Sequence, residues 1–467
     1  MKKSLLIFFI VLGSMSACMM GPNYQKPESN LPSAYKYGGT VADSVLNLSW
    51  WKIFNDGVLN ELIDSAIVNN QNALIAATRI EEARSIVGFT RADMYPKVNG
   101  SVNYNFTNQL VQGLGETNED PLHIFSANTP LNWEIDFWGK FRRANEAARA
   151  EMVASEFGYR AIMMALITEV TINYFTLLDF NQRLLIAQRT LESRRESLRI
   201  IQEKFSEGYI PEIDLNQAQI QEAIAQAAIP AFKRSARLTE NSLNVLLGRF
   251  PATIETPGIY AQKLPDSIPI GFPSQLIARR PDVLEAEYFL VAQNARIGIA
   301  EAQRFPAIGL NGLIGIAGNG TSFTTGNFVW GVGGSLAAPL INIGKNKRRV
   351  EIEKARTQQA RYNYQQAVIT AVSEVENSLI EIETYKEELV ATQKRMEAAQ
   401  NAASLSLDRY NGGVTSYLEV LESDRSKFDA ELVASQTYRE FLNAYIKLYK
   451  ALGGGWINRD EATNSQN

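Results

Sequence analysis

The chain has 467 residues, with 46 lysines and arginines, 50 aspartates and glutamates, and a formal net charge of −4 at pH 7. This balance excludes the strongly basic class of nucleic-acid-binding proteins, and the length suffices for two or three domains. The single cysteine excludes an intramolecular disulfide. With one histidine and no Cys/His/Asp cluster, P-loop or G-x-S-x-G motif, the sequence predicts no enzyme activity, cofactor or metal site.

The first residues have the pattern of a secretory signal peptide. Two lysines precede an apolar run, Leu5–Leu12, which is too short to cross a bilayer. Small residues then lead to Cys18, and this stretch is similar to a bacterial lipobox, although Met15 stands where Leu is usual. We therefore predict that the signal peptide 1–17 is removed and that the Cys18 thiol carries a diacylglycerol. The alternative is an ordinary signal peptide with a chance cysteine nearby.

After an extended N-terminal segment, 18–57, the chain is predicted to repeat one series of elements twice. The first copy, 58–250, contains a helix at about 59–93, two strands and a long helical hairpin. A proline-rich linker, 251–273, leads to a second copy, 274–456, whose first helix is predicted at about 274–304, and to a flexible tail, 457–467. No later segment reaches the roughly 18 uninterrupted apolar residues of a spanning helix, so any membrane-spanning part must consist of strands.

Each copy contains one very long helix. Between Lys140 and Ile210 there is no proline, and Gly158 is the only glycine before Gly208; the stretch Lys345–Asn411 contains neither residue type. About 65 helical residues extend over roughly 100 Å. Apolar residues recur every seven positions in the first helix, which predicts a coiled-coil seam: Leu184, Leu191, Leu198 and Phe205, with Ala187 and Ile201 midway.

Both long helices are predicted to turn back into a shorter return helix. Gly208 and Gly413 suit the helix C-cap, where glycine adopts a positive φ at low cost. One offset of 205 residues relates three pairs of glycines, which indicates a tandem duplication: Gly139 and Gly344, Gly208 and Gly413, Gly248 and Gly453. Pro230 is expected to interrupt and kink the first return helix, where the second copy has Ser435.

The segments between the helices alternate between apolar and polar residues, as transmembrane β-strands of about ten residues do. An ordinary sheet packed on a core is the alternative, but four such strands at one end of long helices favour a barrel. The predicted apolar faces are Val98, Val102, Tyr104, Phe106, Phe125, Leu131, Trp133 and Ile135 in the first copy, and Ile308, Leu310, Ile314, Ile316, Phe328, Trp330, Val332 and Leu336 in the second.

Four strands cannot close a conducting barrel, and open strand edges are not tolerated in lipid. Two copies of the chain would give eight strands and a filled interior, whereas three give twelve strands and a lumen. The predicted fold class is therefore an α+β membrane protein: a trimeric transmembrane β-barrel with four strands per chain. The long helices built from the tandem repeat are predicted to pack as a coiled-coil bundle that continues it.

Five motifs stand out along the chain: Gly21–Tyr24, Trp50–Phe54, Gly271–Val283, Arg304–Pro306 and Ala451–Trp456. They resemble motifs of the TolC-like outer-membrane factors, in the NodT/OprM-like lipoprotein branch that serves RND-type efflux pumps, and the resemblance covers nearly the whole mature chain. It implies a homotrimer in outer-membrane lipid, whose barrel continues as a long periplasmic α-helical coiled-coil barrel that forms a tunnel. It also implies a periplasmic adaptor (membrane fusion) protein and an inner-membrane RND-type pump as partners. The linker 251–273 would then lie in an equatorial belt.

The resemblance also implies roles for the two hairpin turns. Acidic side chains after the second turn form rings on the trimer axis of this family, and the matching residues here are Glu419 and Glu422, with Asp424 nearby. Converging carboxylates attract cations. The alternative is that these are solvated helix residues. The turn residues are implied to contact the adaptor: Gly208, Tyr209, Ile210, Pro211, Gly413, Val414, Thr415 and Ser416.

Other functions remain open at this level. A channel of a protein-export (type I secretion) system would share the same architecture, because the pump and not the channel selects the cargo. A soluble coiled-coil scaffold would explain the long helices but neither the secretory signal nor the strands. His123, between two predicted strands, is interpreted as a loop residue at the barrel mouth and not as a catalytic base.

Overall fold

A computed structural model describes most of the chain. The signal peptide, Cys18 and the tail 457–467 lie outside the described residues, so the predictions made for them are not examined by it. The described ranges are 19–28, 31–37, 50–107, 122–262, 277–319 and 326–454.

Seven α-helices have both of their ends within these ranges. The first copy contains α1 (Gly57–Asn69), α2 (Gln71–Ala92), α3 (Lys140–Ser206) and α4 (Glu212–Leu246). The second contains α5 (Pro281–Ala302), α6 (Lys345–Asn411) and α7 (Tyr417–Ala451). The bounds of α3 and α6, and those of α4 and α7, differ by 205 residues at each end, which confirms the tandem duplication.

The prediction of one continuous helix over 59–93 is wrong, because Asn70 separates α1 from α2. Its backbone is extended, with ψ 124°, and its backbone N–H donates to the Ala66 carbonyl of α1. The Asn70 side chain accepts a hydrogen bond from the Ala73 N–H and donates one to the Leu246 carbonyl.

The single helix predicted over 274–304 in the second copy is wrong in the same way. Residues 277–279 are helical, but Arg280 is not, and α5 starts at the next residue, Pro281. Proline disfavours helical backbone at the residue that precedes it. A proline therefore separates the helices in the second copy, where an asparagine separates them in the first.

The predicted interruption of the first return helix at Pro230 is also wrong. Helix α4 runs through it from Glu212 to Leu246. Pro230 is exposed, and so is Gln226, whose carbonyl loses its helical hydrogen bond at a proline four residues later. Water can therefore satisfy that carbonyl.

The strands form one antiparallel sheet. It comprises β1 (Lys97–Val98), β2 (Ser101–Thr107), β3 (Leu122–Ile135), β4 (Ala307–Asn319) and β5 (Asn327–Ala337). Strands β1 and β2 both pair with β3 in one register, and β3, β4 and β5 follow in chain order. Pro130, which has no N–H, lies opposite the break between β1 and β2. The four predicted strands are therefore present, the first of them interrupted.

The sheet has one apolar and one polar face, as the alternation predicts. Cross-strand rows such as Val102, Ala127, Ile316 and Phe328 lie on the apolar face, and much of this face is exposed in the chain. His123 belongs to β3 and not to a loop, so its placement from the sequence was wrong. Its Nδ1 atom lies 2.6 Å from the Tyr104 hydroxyl.

The chain divides into two compact units that cut across the duplicated copies. The sheet unit comprises the described residues of Met1–Glu28, Arg79–Glu156 and Glu285–Gln365. The hairpin unit comprises those of Ser29–Thr78, Phe157–Leu284 and Gln366–Asn467. Both copies contribute to each unit, so the sequence repeat describes the ancestry of the chain and not its compact bodies.

The hairpin unit has its own apolar core. Trp50, in a short 3₁₀ helix, stacks on Tyr449 at 5.7 Å, and Phe54 contacts Phe175. Ile259, in the described part of the linker, is fully buried against the same core. Among the described helices, α3 alone is long and apolar enough to span a membrane by composition, but 61% of its apolar window is buried.

Candidate functional site

The two hairpin turns have the same backbone geometry. At the end of α3, Gly208 has φ +76°, and the Tyr209 N–H donates to the Lys204 carbonyl over 2.9 Å. At the end of α6, Gly413 has φ +73°, and the Val414 N–H donates to the Arg409 carbonyl over 2.9 Å. These six-to-one bonds are Schellman motifs, which satisfy carbonyls that the helix leaves free.

The side chains of the turns divide into exposed and buried groups. Tyr209 and Val414 project from the turns and are exposed. Ile210 packs against a small apolar cluster that joins both hairpins, formed by Ile201, Ala218, Tyr417, Val420 and Leu421. Pro211 and Ser416 precede the return helices as N-cap residues without a side-chain cap. The two turns are therefore held as one tip, with an exposed apolar side chain on each.

Glu419 and Glu422 lie one helical turn apart on α7 and remain largely accessible. The Glu419 carboxylate accepts a hydrogen bond from Thr415 and lies 3.6 Å from Arg409; its side chain is 42% exposed. Glu422 is 76% exposed, and its nearest cation, Arg425, lies 4.0 Å away. Pairs of this kind at the surface contribute little binding energy. Both carboxylates therefore keep most of their charge available to solvent or to ions.

Asp424 differs from the two glutamates. It lies two residues beyond Glu422, on the other side of α7, and its side chain is 24% exposed. The Arg194 guanidinium, only 4% exposed, donates to the Asp424 carboxylate over 2.7 Å and to the Gln221 carbonyl over 2.8 Å. Asp424 thus joins α7 to α3 and, through Arg194, to α4.

One tyrosine of the tip, Tyr417, has a raised pKa. Tyr417 is buried beside Tyr410 at the start of α7. Burial, and next the negative charge of Asp424, raise the pKa of the Tyr417 phenol to about 12. The phenol therefore stays neutral over the physiological range, so the charge of the tip comes from carboxylates and from basic side chains.

Arg194 was not predicted as a site residue, although its position in the coiled-coil seam could have indicated it. The predicted seam of α3 repeats every seven residues through Ala187 and Ile201, and Arg194 occupies the position midway between them. Ala187 and Ile201 are buried, which confirms the seam there. A charged residue at a seam position is costly unless it has a partner, so it indicates an ion pair across the interface.

A second site, in the sheet unit, holds the segment that follows Cys18. Arg143 is 1% exposed, and its guanidinium donates to the carbonyls of Met20 and Gly21 and to the side chain of Asn23. Gly21 has φ +85°, and a side chain there would lie 2.5 Å from the Cα atom of Gly298. The first residues after Cys18 are therefore fixed against α3 and α5. No sequence signal pointed to Arg143.

The chain matches known proteins along most of its length. The family model described as "Outer membrane efflux protein" matches residues 62–249 and 272–454. The cation efflux system protein CusC of Escherichia coli O6:H1 is 31% identical over 461 residues, covering 97% of this chain and 98% of that protein. The solvent efflux pump outer membrane protein SrpC of Pseudomonas putida is 29% identical, covering 97% and 98%.

A solved structure has the same fold. The open state of the MtrE outer membrane channel of Neisseria gonorrhoeae superposes with a TM-score of 0.84 at 27% identity. The superposition covers 94% of this chain and 98% of that one. The combination of a sheet with one apolar face and two long helical hairpins is thus that of a known outer-membrane channel.

Proposed function

The chain belongs to the outer membrane efflux protein family, and from this premise we propose that three copies form the channel of a tripartite efflux system. The channel is a passive conduit for drugs or other small toxic compounds. An inner-membrane RND-type pump and a periplasmic adaptor deliver the cargo. CusC is named for cations and SrpC for solvents, which fits a conduit whose pump selects what it carries.

The exposed apolar face of the sheet is the observation that carries this proposal. Trp330, Val332 and Leu336 are exposed on it in β5, as are Val102 and Phe106 in β2. A soluble protein buries such a face against a core, whereas a transmembrane barrel turns it to lipid. The 14 residues of β3 extend roughly 45 Å, which at a tilt of about 45° covers the roughly 30 Å of a hydrocarbon layer.

The tip of the hairpins supports the proposed gate. In a trimer, Glu419 and Glu422 of three copies converge on one axis and form two acidic rings that attract cations and repel anions. Asp424 acts differently, because its carboxylate is held by Arg194. It positions α7 against α3, and the adjacent glutamates supply the free charge.

The turns supply the proposed contact with the adaptor. The turns that follow the long helices are Gly208–Pro211 and Gly413–Ser416. Each presents one exposed apolar side chain, Tyr209 in the first turn and Val414 in the second. An adaptor built of helical hairpins can cover these side chains and gain the free energy of apolar burial, about 1.5–3 kcal/mol for a fully buried large side chain.

The proposed lipid anchor fits the fixed segment that follows it. Because Arg143 holds the main chain at Met20 and Gly21, a lipid on Cys18 would leave the protein beside the first turn of α3. Two acyl chains suffice for stable anchoring. Mass spectrometry of the mature N-terminus tests this: acylated Cys18 supports the anchor, and an unmodified cysteine contradicts it.

Single-channel current in a planar bilayer tests the channel and its gate together. The detergent-purified wild type is expected to give a small cation-selective current. The Glu419→Ala/Glu422→Ala variant is expected to lose selectivity or conduct more, because the two rings lose their charge. The counterpart positions of the first copy give the control, and Asp214→Ala/Gln217→Ala is expected to change selectivity less. Unchanged selectivity and conductance in the first variant would contradict the gate, and no current from the wild type would contradict the channel.

A further inference from the structure

The connection from β5 to α6 carries exposed apolar side chains followed directly by exposed cations. Three large apolar side chains lie between the two elements, and three basic side chains lie in the first turn of α6; all six are exposed. Building on the proposed outer-membrane channel, we infer that this surface binds an anionic phospholipid of the periplasmic leaflet. We call the six residues the basic junction: Leu340, Ile341, Ile343, Lys345, Lys347 and Arg348.

The first copy shows what a side chain at this position of a long helix can bind. Arg348 is the counterpart of Arg143 at the offset of 205, and each forms a salt bridge with the glutamate three residues later. Arg143 is covered by the segment that follows Cys18 and donates to two of its carbonyl oxygens. The Arg348 side chain is 76% exposed. Donors that bind oxygen atoms in the first copy are therefore open to an external oxygen acceptor in the second.

The glycine before each long helix shows the same difference. A Cβ atom on Gly139 would lie 2.7 Å from the Met19 side chain, whereas one on its counterpart Gly344 would meet nothing within 4 Å. The N-terminal segment thus fills the space beside the first junction, and no described residue fills it beside the second. Each copy has one such segment, already held at the first junction, which leaves the second for another molecule.

The charge of the basic junction selects an anion. Neither Lys345 nor Lys347 pairs with a carboxylate in the part of the chain that the structure describes, and Arg348 pairs with Glu351. Three cations thus face one carboxylate. They also lie against the positive end of the α6 dipole, so a bound anion stabilises this turn. A phosphate group supplies both the negative charge and the acceptor oxygens.

The position of the basic junction selects a lipid as the source of that anion. The apolar face of β5, which the proposed barrel turns to lipid, ends near Leu336. Leu340 and Ile341 extend the exposed apolar surface towards the cations of α6. An apolar surface that ends in lysines and arginines is typical of a membrane interface, where acyl chains meet phosphates. The proposed channel places α6 in the periplasm, so the phosphate belongs to the periplasmic leaflet.

The experiment measures which phospholipids the purified protein retains. The detergent-purified wild type is mixed with equal amounts of phosphatidylglycerol, which is anionic, and phosphatidylcholine, which has a phosphate but no net charge. Lipids that stay bound through gel filtration are quantified by mass spectrometry, and the wild type is expected to retain more phosphatidylglycerol. Lys345→Gln/Lys347→Gln/Arg348→Gln is expected to lower the ratio of the two lipids about fivefold or more, because one cation near an anionic surface contributes roughly that factor.

The matched control lies on α4, in the hairpin unit. Lys233, Arg234 and Arg237 are exposed cations on one helix, and Arg237 pairs with Glu240 three residues later, as Arg348 pairs with its glutamate. Lys233→Gln/Arg234→Gln/Arg237→Gln removes the same charge and is expected to leave the lipid ratio unchanged. An equal fall in both triple variants would assign the preference to net charge and overturn the inferred site.

Two further results would overturn the inference. If a neighbouring copy covers the basic junction, its triple variant will retain as much phosphatidylglycerol as the wild type does. Glycerol phosphate provides the headgroup without acyl chains, and its displacement of phosphatidylglycerol at equal concentration would exclude a lipid as the occupant. Single-channel current from the same wild-type preparation separates the two levels of the argument. A protein that conducts without a lipid preference overturns only the lipid site, whereas a protein without current overturns the proposed channel.

Discussion

The two copies of the repeat share a backbone and differ in their charges. Their hairpins begin and end at positions 205 residues apart, yet the tip of the second carries Glu419 and Glu422 where the first has Asp214 and Gln217. The first copy contributes the buried Arg194, where the second has Ala399. The helical geometry is thus the same in both copies, whereas the ion pair at the tip joins an arginine of the first copy to an aspartate of the second.

The largest expected effect comes from exchanging the counterparts Pro230 and Ser435. Ser435 is fully buried in α7, and its hydroxyl donates to the Asp179 carboxylate over 2.6 Å. Ser435→Pro removes that bond and a backbone donor inside the helix, and is expected to lower the free energy of unfolding by about 3 kcal/mol or more. Thermal unfolding in detergent measures this change.

The reverse exchange is the control for this prediction. Pro230 is exposed, so Pro230→Ser restores a backbone N–H without burying a polar group and is expected to raise the melting temperature. A fall in melting temperature for both variants would contradict the view that only the second copy requires a continuous backbone ladder at this position.

Loss of the ion pair between Arg194 and Asp424 at the tip is expected to lower stability by a slightly smaller amount. Arg194→Ala leaves Asp424 and the Gln221 carbonyl without their donor, and removal of one partner of a buried ion pair costs about 3 kcal/mol. The neighbouring Arg195, whose side chain is 58% exposed beside Glu222, is the matched control; Arg195→Ala is expected to cost less than about 1 kcal/mol. Hydrogen exchange of amides at the start of α7 measures both. Equal protection in the two variants would contradict the role of Arg194 as the link between copies.

Much of the fold could be predicted because it depends on local patterns. The absence of proline and glycine over α6 placed its bounds, and the period-two alternation placed the strands and their apolar face. The errors lie where a contact with another part of the chain determines where a helix or strand begins or ends. At Asn70, the side-chain amide donates to the distant Leu246 carbonyl, and His123 belongs to β3 because its backbone pairs opposite Phe106 of β2.

The candidate site was predicted less completely, for the same physical reason. The turn glycines and Glu419 and Glu422 follow from spacing and family resemblance. The pairing of Asp424 with Arg194 joins residues 230 positions apart, and no local pattern in a single sequence encodes that contact. The seam position of Arg194 indicates that a partner exists, but only the packing of α7 on α3 identifies which carboxylate it is.

The smallest expected effect comes from alanine substitutions of the two turn glycines, which test whether the two turns contribute equally to stability. Gly208 and Gly413 both have positive φ and open space where a Cβ atom would lie, so Gly208→Ala and Gly413→Ala are each expected to cost about 1–2 kcal/mol from backbone strain alone. Gly248→Ala is expected to cost more, because its Cβ atom would lie 2.1 Å from the Asn69 carbonyl oxygen. Melting temperatures of the three variants in one detergent give the order. Equal losses at Gly208 and Gly413 mean that duplication kept the turns equivalent in stability, and a clearly larger loss at one of them would show that its turn has a second role in the tip.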